Sequence, residues 1–157
     1  MRTLAVVLLI GAVVVGWTVR AERDVVVAQT RTPLMVTRLF TGADGKTHAE
    51  TTEMKLTRAG QSVPRAPDAE ASDPVKVIDV RFGRTPPNYA IAFHTAPRRQ
   101  YVVTLSGRED IELEDGTKIP LTPGHVLLAE DTTGKGHISR AVGSEDWLSL
   151  IIQLADR

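Results

Sequence analysis

Beyond about residue 29 the chain never sustains a helical period. It runs in short segments of branched, aromatic and alternating residues, closed by turn residues about every 8–12 positions, and this spacing predicts an antiparallel sandwich or barrel. The expected strands cover 34–40, 51–57, 75–82, 89–95, 100–106, 110–113, 118–121, 125–129, 136–142 and 147–154. Asp44-Gly45, Asp115-Gly116 and Pro123-Gly124 supply turns, since Gly takes positive φ at no steric cost. Gly83 to Pro87 is expected to break a strand. The stretch 59–74 holds Pro64, Pro67 and Pro74 and reads as a loop. No repeat of solenoid or propeller period is present. The expected domain is all-β, running from about 33 to 154.

The first residues have a different character. Met1-Arg2-Thr3 is short and basic, and residues 4–17 (LAVVLLIGAVVVGW) are almost wholly apolar. Val19-Arg20-Ala21 offers a cleavage site, and Val26-Val27-Ala28 a second. This is the layout of a signal peptide, so residues 1–28 are expected to direct export and residues 29–157 to form the domain. The alternative is an uncleaved membrane anchor, for which the run is short of the ~20 residues a spanning helix needs. Contact with a membrane is expected only through this segment.

Charge and composition exclude several classes. Lys+Arg and Asp+Glu are both 19, so there is no basic field to hold nucleic acid. With no cysteine, disulfides, thiolate metal sites and cysteine nucleophiles are ruled out. Ser-His-Asp arrangements and Gly-rich phosphate loops are not visible.

Two stretches carry a family resemblance. FHTAPRRQYVVTLSG (93–107) is similar to the first cupin motif, which reads His-x-His, then Glu, then a Gly ending the strand. LTPGHVLLAEDTTGKGHISR (121–140) is similar to the second, a Pro-Gly turn, a strand, a Gly-containing turn and a His. The chain therefore resembles the cupins, which implies a double-stranded β-helix, or jelly-roll, barrel. His94, Gly107, Gly124 and His137 match the motifs, whereas Ala96 and Gln100 stand where the family has His and Glu. Carried over residue by residue, the implied metal set is His94, Gln100 and His137. Two imidazoles and an amide lack the anionic donor that offsets a divalent cation, so the expectation is no metal or one weakly bound Zn, Mn or Fe ion.

Strand alternation supports a pocket independently. It puts His94 on a face with Ala90 and Ala92, His137 with Ser139 and Ala141, and Gln100 with Val102, Thr104 and Ser106. Polar heads among small residues suggest a ligand cavity. Its expected lining is His94, Arg98, Gln100, Thr104, His137 and Ser139. Of the adjacent Arg98 and Arg99, one is expected to face the pocket and clamp a carboxylate or phosphate, or else to pair with Glu130 or Asp131. Tyr101 is expected in the core or an interface, His48 exposed, and His125 structural. Glu130-Asp131 could offer carboxylates to His137, but reads first as a turn whose Asp and Thr cap backbone groups.

The leading expectation is an exported protein binding a small polar or anionic molecule in the barrel with weak or no metal dependence. One alternative is a metal-dependent enzyme of dioxygenase or isomerase type using His94, Gln100 and His137. Another is a non-catalytic homodimer, joined through the apolar terminal strand 147–154.

Overall fold

The computed structural model describes residues 31–58 and 69–155. The leader with its cleavage points and the middle of the Pro-rich stretch, 59–68, lie outside the described residues. Among the described residues there is no helix. Twelve strands follow in order: β1 Met35–Thr41, β2 Thr47–Glu53, β3 Thr57–Arg58, β4 Glu70–Ala71, β5 Val77–Thr85, β6 Ala90–His94, β7 Gln100–Ser106, β8 Glu109–Glu112, β9 Lys118–Leu121, β10 Val126–Glu130, β11 His137–Ala141 and β12 Trp147–Leu154.

They form a six-stranded sheet of order β2-β1-β10-β7-β12-β5, a four-stranded sheet of order β6-β11-β8-β9, and the small pair β3-β4. From β5 onward the chain passes back and forth between the two large sheets, with the β8–β9 hairpin the one pause. That alternation is what winds a double-stranded β-helix. All pairings are antiparallel except β1 with β10, which are parallel. Eight strands separate those two in the chain, so no hairpin dictates their relative direction.

Alternation of side chains sorts the inward faces. In the six-stranded sheet Leu39, Leu127, Ala129 and Val102 turn inward, and Leu127 lies opposite Val102. Ile111, Leu113, Leu121 and Ala141 come from the other sheet, and Trp147 closes the cluster. Leu39, Ile111 and Leu121 are fully buried, each contributing roughly 1.5–3 kcal/mol through removal from water.

Three expectations need correction. Residues 83–85 continue β5 rather than breaking it, because Gly83 sits over Ser149 of β12, whose hydroxyl would lie 2.8 Å from a Cβ there. The strand after the first turn is 47–53, directly paired with β1, rather than 51–57. The terminal strand β12 is not an edge: β7 pairs with one side and β5 with the other, so it has no free backbone for a second molecule.

Candidate functional site

β6 and β11 are neighbours in the four-stranded sheet, with His94 directly opposite His137. Their ring centroids are 4.6 Å apart and the planes are tilted by 57°. Each ring is held through its Nδ1. His94 Nδ1 lies 2.9 Å from the carbonyl oxygen of Ala92, which fits donation by an Nδ1–H. His137 Nδ1 lies 2.6 Å from Oδ2 of Asp131, in a pair that is almost completely buried. Asp131 Oδ2 also accepts from the Thr47 hydroxyl at 3.0 Å, and its Oδ1 has no partner among the described residues. A carboxylate accepting from Nδ1 fixes the tautomer, leaving Nε2 as the nitrogen available to a ligand.

A β-bulge shapes this end of β6. His137 pairs with His94, but Ser139 pairs with Ile91, so three steps on β6 oppose two on β11. The extra residue swaps faces along the rest of β6. Ile91 therefore lines the cavity, and Ala90 and Ala92 do not share His94's face as simple alternation predicts. Gly136 makes the approach of the two strands possible. It has φ of 78°, and a Cβ there would lie 1.9 Å from the His94 carbonyl oxygen.

The two histidines open onto a cavity of about 150 Å³, close to the volume of an engineered cavity that admits benzene. Gln100, Ser139 and Glu109 add polar groups, while Val102, Ile111, Leu127, Trp147 and Ile151 make an apolar floor. Gln100 faces inward from β7 beside Ala129 and Gln153.

Glu109 was not among the residues expected here. It is buried at the start of β8 opposite Ala141, two steps along the ladder from the Ile111–Ser139 pair and on the same face. Burial pushes its carboxyl up to about 7, the Ser139 hydroxyl works against that, and the charge of Asp110 adds to it. The signal for it was the apolar alternation Ile111, Leu113 extended back by one step, hidden because the strand was expected to begin at 110. Asp131 was misjudged too. Its carboxylate caps no turn but is turned inward behind His137, because the backbone of Ala96 donates to its carbonyl and draws residue 131 against the barrel.

Two expected lining residues are elsewhere. Arg98 is exposed and does not reach the cavity. Thr104 is buried, but its hydroxyl accepts the indole N–H of Trp147 at 3.1 Å and is occupied in the core. Of the two arginines it is Arg99 that is engaged. Glu130, largely buried, accepts from Arg99 Nε at 2.7 Å and Arg38 Nε at 2.6 Å. Burial alone would raise the Glu130 carboxyl, yet the two guanidiniums hold it below its ordinary value. His48 is exposed beside Asp44, and part-buried His125 is lowered by its burial.

The barrel of two sheets with paired interior histidines on β6 and β11 settles the architecture. In fold, the chain is a double-stranded β-helix barrel. No family model and no curated protein matches it. Solved structures similar to it include a cupin domain from Bordetella pertussis Tohama I, at 19% identity and TM-score 0.41, over 53% of this chain and 91% of that one. Another is a Cupin 2 conserved barrel domain protein from Salinispora arenicola CNS-205, at 14% identity and TM-score 0.40, over 48% and 61%. A conserved protein of unknown function from Streptococcus pyogenes aligns at 19% identity and TM-score 0.40, over 50% and 64%. The chain thus spans less than two thirds of the length of these last two. They are partial likenesses, and the fold rests on the strand order given above.

The metal position implied by the resemblance to cupins can be tested against the residues present. His94 and His137 could each offer Nε2 and Gln100 an amide oxygen, but Ala96 offers nothing. Among the described residues no group of three His, Asp or Glu side chains is arranged to hold a metal ion. Glu109 lines the same cavity yet does not complete such a group with the histidines. The donor set does not fit a resident divalent cation.

Proposed function

We propose that the cupin barrel binds one small polar molecule in this cavity, with weak or no metal dependence, in a protein exported from the cytoplasm. The observation that carries the reading is the lining: two oriented imidazoles, an amide, a hydroxyl and a carboxyl over an otherwise apolar floor. Of the polar and anionic ligands suggested by the sequence, the lining favours a neutral one. It contains no Lys or Arg, and Arg98 is outside it. A carboxyl held up to about 7 is protonated at mildly acidic pH and then donates a hydrogen bond. Weak or absent metal binding is supported by Ala96 and Gln100, and export by the basic-then-apolar leader.

A second reading is favoured by the buried Asp131–His137 pair. A carboxylate that orients an imidazole through Nδ1 is the arrangement of a general base, so the bound molecule could exchange a proton with Nε2.

Thermal melting of the purified full chain tests the proposal, with phenol, glycerol and benzoate as probes beside Zn²⁺, Mn²⁺ and Fe²⁺. A neutral probe is expected to raise the melting temperature, with about 2.7 kcal/mol of stabilisation at a hundred times its Kd. Gln100→Leu should remove the effect. If no organic probe stabilises the chain while one metal does so at one equivalent, the metal-dependent enzyme becomes the better reading. Fractionating cells and sequencing the N-terminus of the exported form tests export, and full-length chain confined to the cytoplasm would refute it.

A further inference from the structure

One row of paired residues crosses the six-stranded sheet from β10 to β5. Leu127 lies opposite Val102, Val102 opposite Ile151, and Ile151 opposite Arg81. Directly opposed residues of an antiparallel pair point to the same face. Leu127, Val102 and Ile151 all line the cavity, so Arg81 is the next side chain in the same inward row. The pairing of β5 with β12 is regular from Thr85 to Asp79 and shifts only beyond Gln153, so Arg81 keeps this face. Gly83, two residues on, shares it: a Cβ there would meet Ser149 Oγ at 2.8 Å and Ile151 Cδ1 at 3.5 Å.

β5 and β6 are edge strands of the two large sheets and are joined by residues 86–89. The cavity reaches solvent on this side, since Ile91 of β6 lines it and is 42% exposed. Arg81 stands at the β5 side of the opening, with its side chain more than half exposed. Its guanidinium is held in place, Nη2 donating to Asp79 Oδ2 at 2.9 Å. With the Gln153 amide turned so that its nitrogen faces Asp79, Gln153 donates to Asp79 Oδ2 at 3.2 Å and accepts from Arg81 Nη2 at 3.3 Å. Nε and Nη1 of Arg81 have no partner among the described residues. A guanidinium carries its N–H donors in a planar fork, and those left over match the two oxygens of a carboxylate. Gln153 lies opposite Gln100, so a polar row, Gln100–Gln153–Asp79, ties this group to the cavity lining.

We infer that Arg81 binds the anionic end of an elongated ligand whose neutral end fills the cavity. The inference rests on the reading of that cavity as a binding site. A volume of about 150 Å³ holds one small ring, and a longer molecule must leave it at the mouth. The lining has no Lys or Arg, so a negative charge carried inside would be buried without a cation. The same charge at Arg81 keeps contact with water and gains a fixed pair of donors. Asp79 takes one edge of the guanidinium and repels a second anion, which favours a single negative charge over a phosphate dianion. The ligand class is thus a small monocarboxylic acid with an uncharged head.

Titration calorimetry of the full chain at neutral pH provides the test, with phenol, desaminotyrosine and the amide of desaminotyrosine as probes. Desaminotyrosine carries a phenol at one end and a carboxylate at the other, and its amide differs in lacking the charge. The acid should bind at least about tenfold tighter than the amide. Arg81→Gln should remove that preference and leave phenol bound as in the parent, which shows the cavity intact. Arg81→Glu should reverse the preference, taking tyramine over the acid. A parent that binds phenol but holds the acid no tighter than the amide overturns the inference and leaves the cavity reading standing. A preference for the acid that survives Arg81→Gln also overturns it. If none of the probes binds, the cavity reading falls and this inference falls with it.

Discussion

Glu109→Gln isolates the buried carboxyl of the cavity. Glu109 titrates at about 7 in the folded chain against 4.5 when exposed, with burial as the main cause. Between those two pH values the folded chain binds more protons at this position than the unfolded chain. Stability from this group is therefore complete below pH 4.5, declines as pH rises, and is lost once pH passes 7. At about 1.4 kcal/mol for each pH unit separating the two values, the loss is about 3 kcal/mol. An amide of the same shape cannot ionise and escapes it. Urea denaturation of both proteins at a series of pH values from 4 to 8.5 provides the assay. The difference, parent minus variant, should move by about 3 kcal/mol in favour of the variant across that range. A difference constant with pH would show that Glu109 ionises as freely folded as unfolded, and that the cavity does not keep its carboxyl dry.

Four further outcomes are expected. Gly136→Ala should cost at least about 3 kcal/mol in chemical denaturation, because a Cβ there collides with the His94 carbonyl as well as straining a positive φ. Gly116→Ala, with φ of 83° and open space around it, should cost only the backbone strain of about 1–2 kcal/mol. Trp147→Phe leaves the buried Thr104 hydroxyl without its donor and should cost about 1–3 kcal/mol, with little further loss when Thr104→Val is added. By titration calorimetry the parent should bind Zn²⁺ weakly, His94→Ala and His137→Ala should abolish what there is, and Ala96→His with Gln100→Glu should tighten it at least about tenfold.

Much of this architecture was legible because β-structure writes its period directly into the chain. The bounds of β7 and β12 follow from alternating and continuous apolar runs, and the β8–β9 hairpin from Asp115-Gly116. The approach of His94 to His137 was legible from the resemblance to the two motifs together with strand alternation. What failed depended on tertiary contacts. A bulge is one extra residue whose presence is known only from the partner strand, so Ile91 was assigned to the wrong face. Asp131 sits in a sequence that suits a turn, and only the fold brings Thr47, eighty-four positions away, onto its carboxylate. Arg98 and Arg99 look equivalent in sequence, and the position of Glu130 decides which one is engaged. That β12 is an inner strand follows from sheet order, which composition does not encode.

The place of β12 also bears on how the barrel assembles. The last strand of the domain lies between β7 and β5 in the six-stranded sheet. Until residues 147–154 have been made, β5 has no partner and the sheet remains in two pieces. β1 must likewise wait for β10, since Phe40 pairs with Glu130 ninety positions later. Closing such distant pairs is slow, and the large sheet cannot close on a growing chain before residues 147–154 are made. The strand that joins the two pieces of the large sheet is thus the last of the domain to be made, and the sheet can close only after it.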